Sequence, residues 1–203
     1  MLKDISTKTH LKMKTKPTFL LALALLTACS GCFAQSGSDS GVAATSQNGK
    51  HPFSAYPPGT KFVHTNLVTL NGDTVKSAAL DSSVVWYNFW HTRCKPCIIE
   101  MEELDRIASA YKDNPTVKFI AIACDDSASV AEFLKTYRFG FQVVALPKTD
   151  FLSTFRGSHF PTNLLVDAKQ TVLVEKIGGT LSAEGVREEL REFLEQIERL
   201  APK

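Results

Sequence analysis

The sequence predicts an α/β domain with a mixed central β-sheet and helices on both faces. Val84–Trp90 and Val117–Cys124 are apolar runs typical of buried central strands. Between them, Pro96–Lys112 repeats apolar residues at steps of three and four, as a helix against a core does. This strand–helix–strand order favours a parallel pair. Asn163–Val166 and Thr171–Ile177 flank a short polar turn, so they should add an antiparallel pair.

An N-terminal β-hairpin is predicted just before this sheet. Phe62–Leu70 and Thr74–Val75 would be its strands, because Asn71-Gly72 between them is a strong turn signal. The domain as a whole should occupy residues 59–203. Its other expected elements are helices at Ser127–Tyr137 and Ser182–Leu200, a strand at Phe141–Leu146 and a helical turn at Asp150–Arg156.

The N-terminal end predicts export from the cytoplasm. Among 203 residues with a formal net charge of +2, a cluster of lysines precedes a short apolar run, Thr18–Ala28. Such a run is too short to cross a bilayer comfortably and is typical of a secretory signal peptide, here residues 1–28. Met13 is an alternative start. Neither the small net charge nor the 22% of charged residues indicates a nucleic-acid partner.

The residues that follow the signal peptide predict a lipid anchor and a tether. Leu26-Thr27-Ala28-Cys29 resembles a bacterial lipobox, in which Cys29 would be lipidated and become the mature N-terminus. Ordinary cleavage after Ala34 is the alternative. Residues 29–58 include a long stretch rich in Ser and Gly, so they are predicted to be a flexible tether. The expected location is extracytoplasmic, facing the periplasm, at a membrane.

The chain has five cysteines, and their spacing leaves three interpretations. Cys29/Cys32 and Cys94/Cys97 formally make a zinc pattern. However, the first pair adjoins the signal peptide, and 61 residues separate it from the second pair, so no metal site is predicted. A structural disulfide is also unattractive, since so short a loop removes little entropy from the unfolded chain. The third interpretation is a redox pair.

The position of Cys94 favours the redox interpretation. It comes between a buried strand and a helix, where unpaired N–H groups and the helix dipole stabilise a thiolate. Pro96 suits the first turn of that helix, which needs no backbone donor there. Cys94 would attack a partner's disulfide and Cys97 would resolve the mixed disulfide. No cofactor beyond this disulfide is expected.

From about residue 60 to 200, the chain resembles the thioredoxin fold, and within it the TlpA/ResA-like branch of extracytoplasmic thiol–disulfide oxidoreductases. The N-terminal hairpin is usual for that branch. The other motifs that carry the resemblance are Asn88-Phe89-Trp90, Cys94-Lys95-Pro96-Cys97 with Glu100, Phe160-Pro161-Thr162 and Val166-Asp167.

The resemblance implies roles for particular residues. Pro161 would be the cis-proline opposite the disulfide, with the Phe160 backbone pairing with an extended substrate. Glu100 would be a buried acid that handles protons for the cysteines, a solvated helix glutamate being the alternative. Asn88 stands where classical thioredoxins have an aspartate, which leaves proton handling to Glu100. The residues expected to contact substrate are Trp90, Arg93, Lys95, Pro96, Phe160 and Pro161.

The resemblance also implies partners. The expected activity is reduction of disulfides in exported proteins, with apocytochrome c as one type of client and a membrane thiol donor as the electron source. Arg93 departs from the aromatic residue common in the family and should favour the Cys94 thiolate. A thiol peroxidase, a metal-binding chaperone and a non-catalytic scaffold of the same fold are the alternatives. Cys124 is interpreted as a core residue, or alternatively as a regulatory thiol.

Overall fold

The centre of the domain is a five-stranded mixed sheet in the order β5-β4-β3-β6-β7. The computed structural model describes residues 51–157 and 159–201. The strands of the sheet are β3 (Val84–Trp90), β4 (Val117–Ala123), β5 (Gln142–Ala145), β6 (Thr162–Val166) and β7 (Val172–Ile177). β3 pairs in parallel with β4 and antiparallel with β6, so the predicted mixed sheet is confirmed.

Five helices are present in the described residues. They are α1 (Ser77–Leu80), α2 (Lys95–Ala110), α3 (Ser127–Phe133), α4 (Lys148–Thr154) and α5 (Ala183–Leu200). Within 51–157 and 159–201, none of the helices combines the length and apolar character that crossing a membrane requires.

Helices cover both faces of the sheet, as predicted, and each face has its own core. On one face, α2 and α5 pack over Trp86, Leu165 and Val174. On the other face, Phe151 of α4 packs beneath the sheet with Tyr56. Every residue of β3 is buried, which explains why that strand reads as a continuous apolar run with a single asparagine.

The predicted first strand is too long. Only Leu67–Val68 (β1) is a strand, and it pairs antiparallel with Thr74–Val75 (β2). The earlier part of the segment leaves this pairing because the Phe62 N–H donates to the Gln170 carbonyl at 2.9 Å and its ring joins the core. Helix α1 was not expected.

Two other boundaries differ from the sequence-based prediction. α3 ends at Phe133 rather than Tyr137, because the N–H groups of Lys135 and Thr136 donate to carbonyls three residues back instead of four. The tether was predicted to run to residue 58, yet Tyr56 is buried in the core. The Glu175 carboxylate of β7 accepts hydrogen bonds from the backbone N–H groups of Ala55 and Tyr56, at 3.1 and 2.9 Å, and from the Ser54 hydroxyl. The predicted signal peptide, Cys29 and most of the tether lie outside the described residues.

The packing of α5 on the sheet depends on Phe193, which has no exposed surface and stacks on Trp86 with 4.6 Å between ring centroids. We expect Phe193→Ala to lower the free energy of unfolding by about 3–5 kcal/mol, because it leaves a cavity under the helix. Urea unfolding measures this change. Glu192→Ala, at the exposed neighbouring position, is the control. An equal loss of unfolding free energy in both variants would contradict a special role of Phe193 in packing α5.

Candidate active site

The first element of the site is the Cys94–Cys97 disulfide at the start of α2. The two sulfurs are 2.00 Å apart and the two Cα atoms 5.2 Å apart. Cys94 is the N-cap residue, and its sulfur accepts a hydrogen bond from the Cys97 N–H at 3.3 Å. Both side chains are buried, Cys94 with 6% exposed and Cys97 with 1%. After reduction, this hydrogen bond from the Cys97 N–H and the positive end of the helix dipole would stabilise a thiolate on Cys94.

The loop between β3 and α2 is fixed by hydrogen bonds of its backbone. The Thr92 N–H donates to the Asp125 carboxylate at 2.6 Å, and the Cys94 N–H donates to the His91 carbonyl at 3.0 Å. Asp125 is the second residue after the end of β4, which is parallel to β3, so the carboxyl ends of both strands lie on the same side of the sheet. Its neighbour Asp126 has a different role, as the N-cap residue of α3.

The second element is the loop of Phe160 and Pro161, whose peptide bond is cis as predicted. Gly179 lies between this loop and Pro96, which separates the two cysteines together with Lys95. A Cβ on Gly179 would lie 3.0 Å from Pro161 Cγ and 3.3 Å from Pro96 Cβ, so a side chain there would be tightly crowded between these two prolines. The Phe160 ring lies edge-on to the His91 ring at 5.2 Å between centroids. Phe160, Pro161 and Pro96 therefore form one side of the site.

The third element is Glu100, which lies one turn beyond Cys97 on α2. Its side chain is 4% exposed, so the alternative of a solvated glutamate is excluded. Asn88 Nδ2 donates to one carboxylate oxygen at 2.7 Å, and Asn163 Nδ2 lies 3.2 and 3.3 Å from the two oxygens. Burial raises the pKa of Glu100 to about 8, and the hydrogen bonds from the two amides oppose this rise. This acid can therefore release or accept a proton near neutral pH.

Sequence reasoning missed Asn163, which completes the buried polar cluster. It is 0% exposed, and its Oδ1 accepts hydrogen bonds from Trp86 Nε1 at 2.9 Å and from Asn88 Nδ2 at 3.0 Å. These contacts hold its amide group with the nitrogen toward Glu100. The signal was present in the sequence, since Asn163 is the only amide in a buried strand of five residues, as Asn88 is the only amide in β3.

The predicted substrate contacts fall into two groups. Arg93 and Lys95 are exposed beside the disulfide, and Pro96 and Phe160 are half-buried at its rim. Trp90 is 0% exposed and packs against Phe133, so the expectation of a direct substrate contact is wrong for Trp90. Its indole closes the core behind the disulfide.

Besides the disulfide, the described residues contain one further cysteine, Cys124. Cys124 is half-buried against the second core, which suits a packing role, and burial raises the pKa of its thiol. Cys94 and Cys97 are joined to each other, and Cys29 and Cys32 lie outside the described residues. In the part of the chain that the structure describes, no cluster of three or more His, Cys, Asp or Glu side chains could hold a metal ion.

The fold and the site define a thioredoxin-like thiol–disulfide oxidoreductase. A family model described as AhpC/TSA matches residues 58–175, more than half of the chain, and the chain belongs to this family. Within it, the chain is a TlpA/ResA-like thioredoxin-fold oxidoreductase.

Known proteins with similar sequences, and solved structures with the same fold, agree with this assignment. The thiol-disulfide oxidoreductase ResA of Bacillus cereus is 33% identical over 129 residues, which cover 63% of this chain and 71% of the relative. ResA of Bacillus subtilis is 30% identical over 115 residues, 55% of this chain and 62% of that protein.

Two solved structures share the fold. One, from Bacteroides thetaiotaomicron and described as a protein disulfide isomerase, has a TM-score of 0.64 and 20% identity and covers 73% of this chain and 92% of its own. The other, a DsbE-type thiol:disulfide interchange protein from Chlorobium tepidum, has a TM-score of 0.59 and 23% identity, with coverages of 70% and 98%.

The raised pKa of Glu100 predicts a pH-dependent stability. The pKa is about 8 in the folded protein against an ordinary value of 4.5, so the carboxyl binds its proton more tightly when folded. Its contribution is fully present below pH 4.5 and is lost as the pH rises to about 8. With about 1.4 kcal/mol for each pH unit of difference, this loss should amount to several kcal/mol.

The measurement is urea unfolding of the oxidised protein at about pH 5 and about pH 9. Glu100→Gln should remove most of this pH-dependent loss, since an amide does not ionise. Glu102→Gln, an exposed position on the same helix, should keep it. An undiminished loss in Glu100→Gln would show that other groups cause it.

Proposed function

We propose that this oxidoreductase acts outside the cytoplasm, tethered at a membrane, and reduces disulfides in exported proteins. The observation that carries the proposal is the Cys94–Cys97 disulfide at the start of α2 with a buried, readily protonated Glu100 one turn below it. A purely structural bridge would have no use for a buried acid whose pKa lies near neutrality.

The chemistry begins from the reduced pair. The Cys94 thiolate attacks one sulfur of the client's disulfide, forming a mixed disulfide and releasing the client's other sulfur as a thiolate. Glu100 in its ionised form takes the proton of the Cys97 thiol, and the Cys97 thiolate then attacks Cys94 Sγ. The client leaves as a dithiol with two electrons, and the Cys94–Cys97 disulfide remains. The two thiolates of the client take up two protons, one that Glu100 gives back and one from solvent.

The rim of the site supports a role in binding extended clients. Phe160 and Pro161 lie beside Pro96, so an unpaired stretch of client chain could align with the Phe160 backbone. Arg93 and Lys95 are exposed cations next to the disulfide. They would favour clients with acidic residues near the cysteines and stabilise the developing Cys94 thiolate.

The sequence and the family support the location and the partners in this proposal. The apolar segment at residues 18–28 and the lipobox-like Cys29 support export and lipid anchoring. A membrane thiol donor would return the disulfide to the dithiol, and apocytochrome c is one client class that such a reductant could serve.

The assignment of the two cysteines predicts opposite results for two variants. Cys97→Ala should accumulate mixed disulfides with a disulfide-bearing peptide, because the resolving thiol is gone. Cys94→Ala should accumulate none, because Cys97 is almost fully buried. Non-reducing gel electrophoresis and mass spectrometry of the adducts measure this. The reverse pattern would overturn the assignment of the nucleophile.

The direction of electron flow is tested by the reduction potential of the Cys94–Cys97 pair, measured in glutathione and dithiothreitol buffers. We expect a value at the reducing end of the range for such proteins. An oxidising value would indicate an enzyme that forms disulfides. Turnover of hydrogen peroxide without reduction of peptide disulfides would support the thiol peroxidase interpretation, and absence of any titrating couple would support a scaffold.

Lipid anchoring predicts a mass difference at Cys29. When the full chain is expressed in a bacterial host, detergent-soluble protein should carry a lipid adduct on Cys29, and Cys29→Ser should lose it. Cys32→Ser is the matched control, because that cysteine lies three residues further on. Cleavage after Ala34 would instead leave a mature protein without either cysteine.

A further inference from the structure

A row of polar side chains crosses the sheet from its centre to its edge. Asn88 of β3 lies opposite Asn163 of β6, and Asn163 lies opposite Lys176 of β7. Residues directly opposite in antiparallel strands point to the same face of the sheet. Lys176 is therefore on the same face as the two amides that contact Glu100. Since β7 is an edge strand, the row leads from a buried acid toward solvent.

The outer end of the row is an ion pair. Lys176 Nζ lies 3.1 Å from Glu189 Oε1, and the side chains are 34% and 26% exposed. Glu189 belongs to α5, which packs against both α2 and β7. The ion pair is thus partly shielded from water. It joins α5 to the edge strand β7.

The groups around Glu100 leave few other charges to set its protonation. β3 and β6 contribute the neutral amides of Asn88 and Asn163, β7 contributes Lys176 and α5 contributes Glu189. On α2 itself the neighbouring ionisable groups are Cys97 when reduced and Glu103, which pairs with Arg106. After burial and the two amides, Glu189 raises the pKa of Glu100 and Lys176 lowers it.

We propose that Lys176 and Glu189, at the outer end of this polar row, adjust the protonation of the buried Glu100 carboxyl and thereby the pH at which the cysteine pair exchanges electrons. Lys176 and Glu189 are positioning residues in this scheme, since they act through Glu100. The second half of the proposal rests on the proposed function, in which Glu100 accepts the proton of Cys97. The two partners act in opposite directions, because the cation favours ionised Glu100 and the carboxylate favours the protonated form.

This role differs from that of a structural salt bridge. A pair this exposed contributes little to stability, because water screens its charges and two long side chains lose freedom in forming it. The same charges act more strongly on a carboxyl buried in a poorly polarisable core, where the field of a neighbouring charge is weakly screened. The pair can therefore be changed with a small effect on folding and a measurable effect on Glu100.

The test is the titration of Glu100 in the oxidised full chain, followed by NMR of ¹³C-labelled glutamate carboxyls. Glu100→Gln identifies the resonance by removing it. Glu189→Gln should shift the midpoint to lower pH and Lys176→Met to higher pH, each by about half a pH unit for one partly screened charge. Glu188→Gln is the matched control, because this exposed neighbour on α5 pairs instead with Arg191. If Lys176→Met does not fold, Lys176→Gln replaces it.

The second readout is the pH dependence of the reduction potential in the same variants. Its inflection should move with the carboxyl midpoint, down in Glu189→Gln and up in the Lys176 variant. Midpoints that match the Glu188→Gln control, or that move in the same direction in both variants, would overturn the electrostatic control. Carboxyl shifts without a change in the redox profile would overturn its coupling to the cysteines. If no dithiol–disulfide couple titrates, the proposed function fails, whereas the carboxyl midpoints still decide whether the ion pair controls Glu100.

Discussion

The contact between the Glu100 carboxyl and the amides of Asn88 and Asn163 ties the active-site helix to the centre of the sheet. A carboxyl in a hydrophobic core is costly unless it is hydrogen-bonded or neutral. Here both solutions are at hand, since three N–H contacts reach its oxygens and its pKa of about 8 keeps it largely protonated at neutral pH. The arrangement requires that β3 and β6 pair in the register that brings the two asparagines opposite each other. The register of the sheet therefore serves the chemistry of the site as well as its packing.

The disulfide and the buried acid lie in surroundings that affect charge in opposite ways. Cys94 caps the helix, where its sulfur receives the Cys97 N–H, whereas Glu100 faces the sheet from the next turn. A thiolate at the cap is stabilised by the end of the helix, and the acid below is destabilised in its charged form by burial. Cys94 can therefore remain a thiolate that attacks, while Glu100, whose pKa of about 8 lies near neutrality, can exchange a proton with Cys97.

Much of this could be predicted from the sequence, because the deciding signals were local. The continuous apolar run of β3, the CxxC pair at a strand–helix boundary and the proline after Phe160 each depend on neighbours in the chain, and the structure has each of them where it was expected. Asn163 and Asp125 were missed as site residues because their partners lie far away in sequence. The misplacement of Trp90 has a related cause, since an aromatic residue next to a redox motif could face either the client or the core, and only the packing against Phe133 decides it.

The attachment of residues 54–56 to Glu175 has a mechanical consequence. The N-terminal segment enters the domain by hydrogen bonds to an edge strand, on the opposite face of β7 from Lys176. The same segment also reaches the centre of the sheet, because the Tyr56 ring lies 6.2 Å from the Phe89 ring of β3, measured between centroids. A pull from the N-terminal side would therefore be shared between the edge strand and the strand that leads to the disulfide.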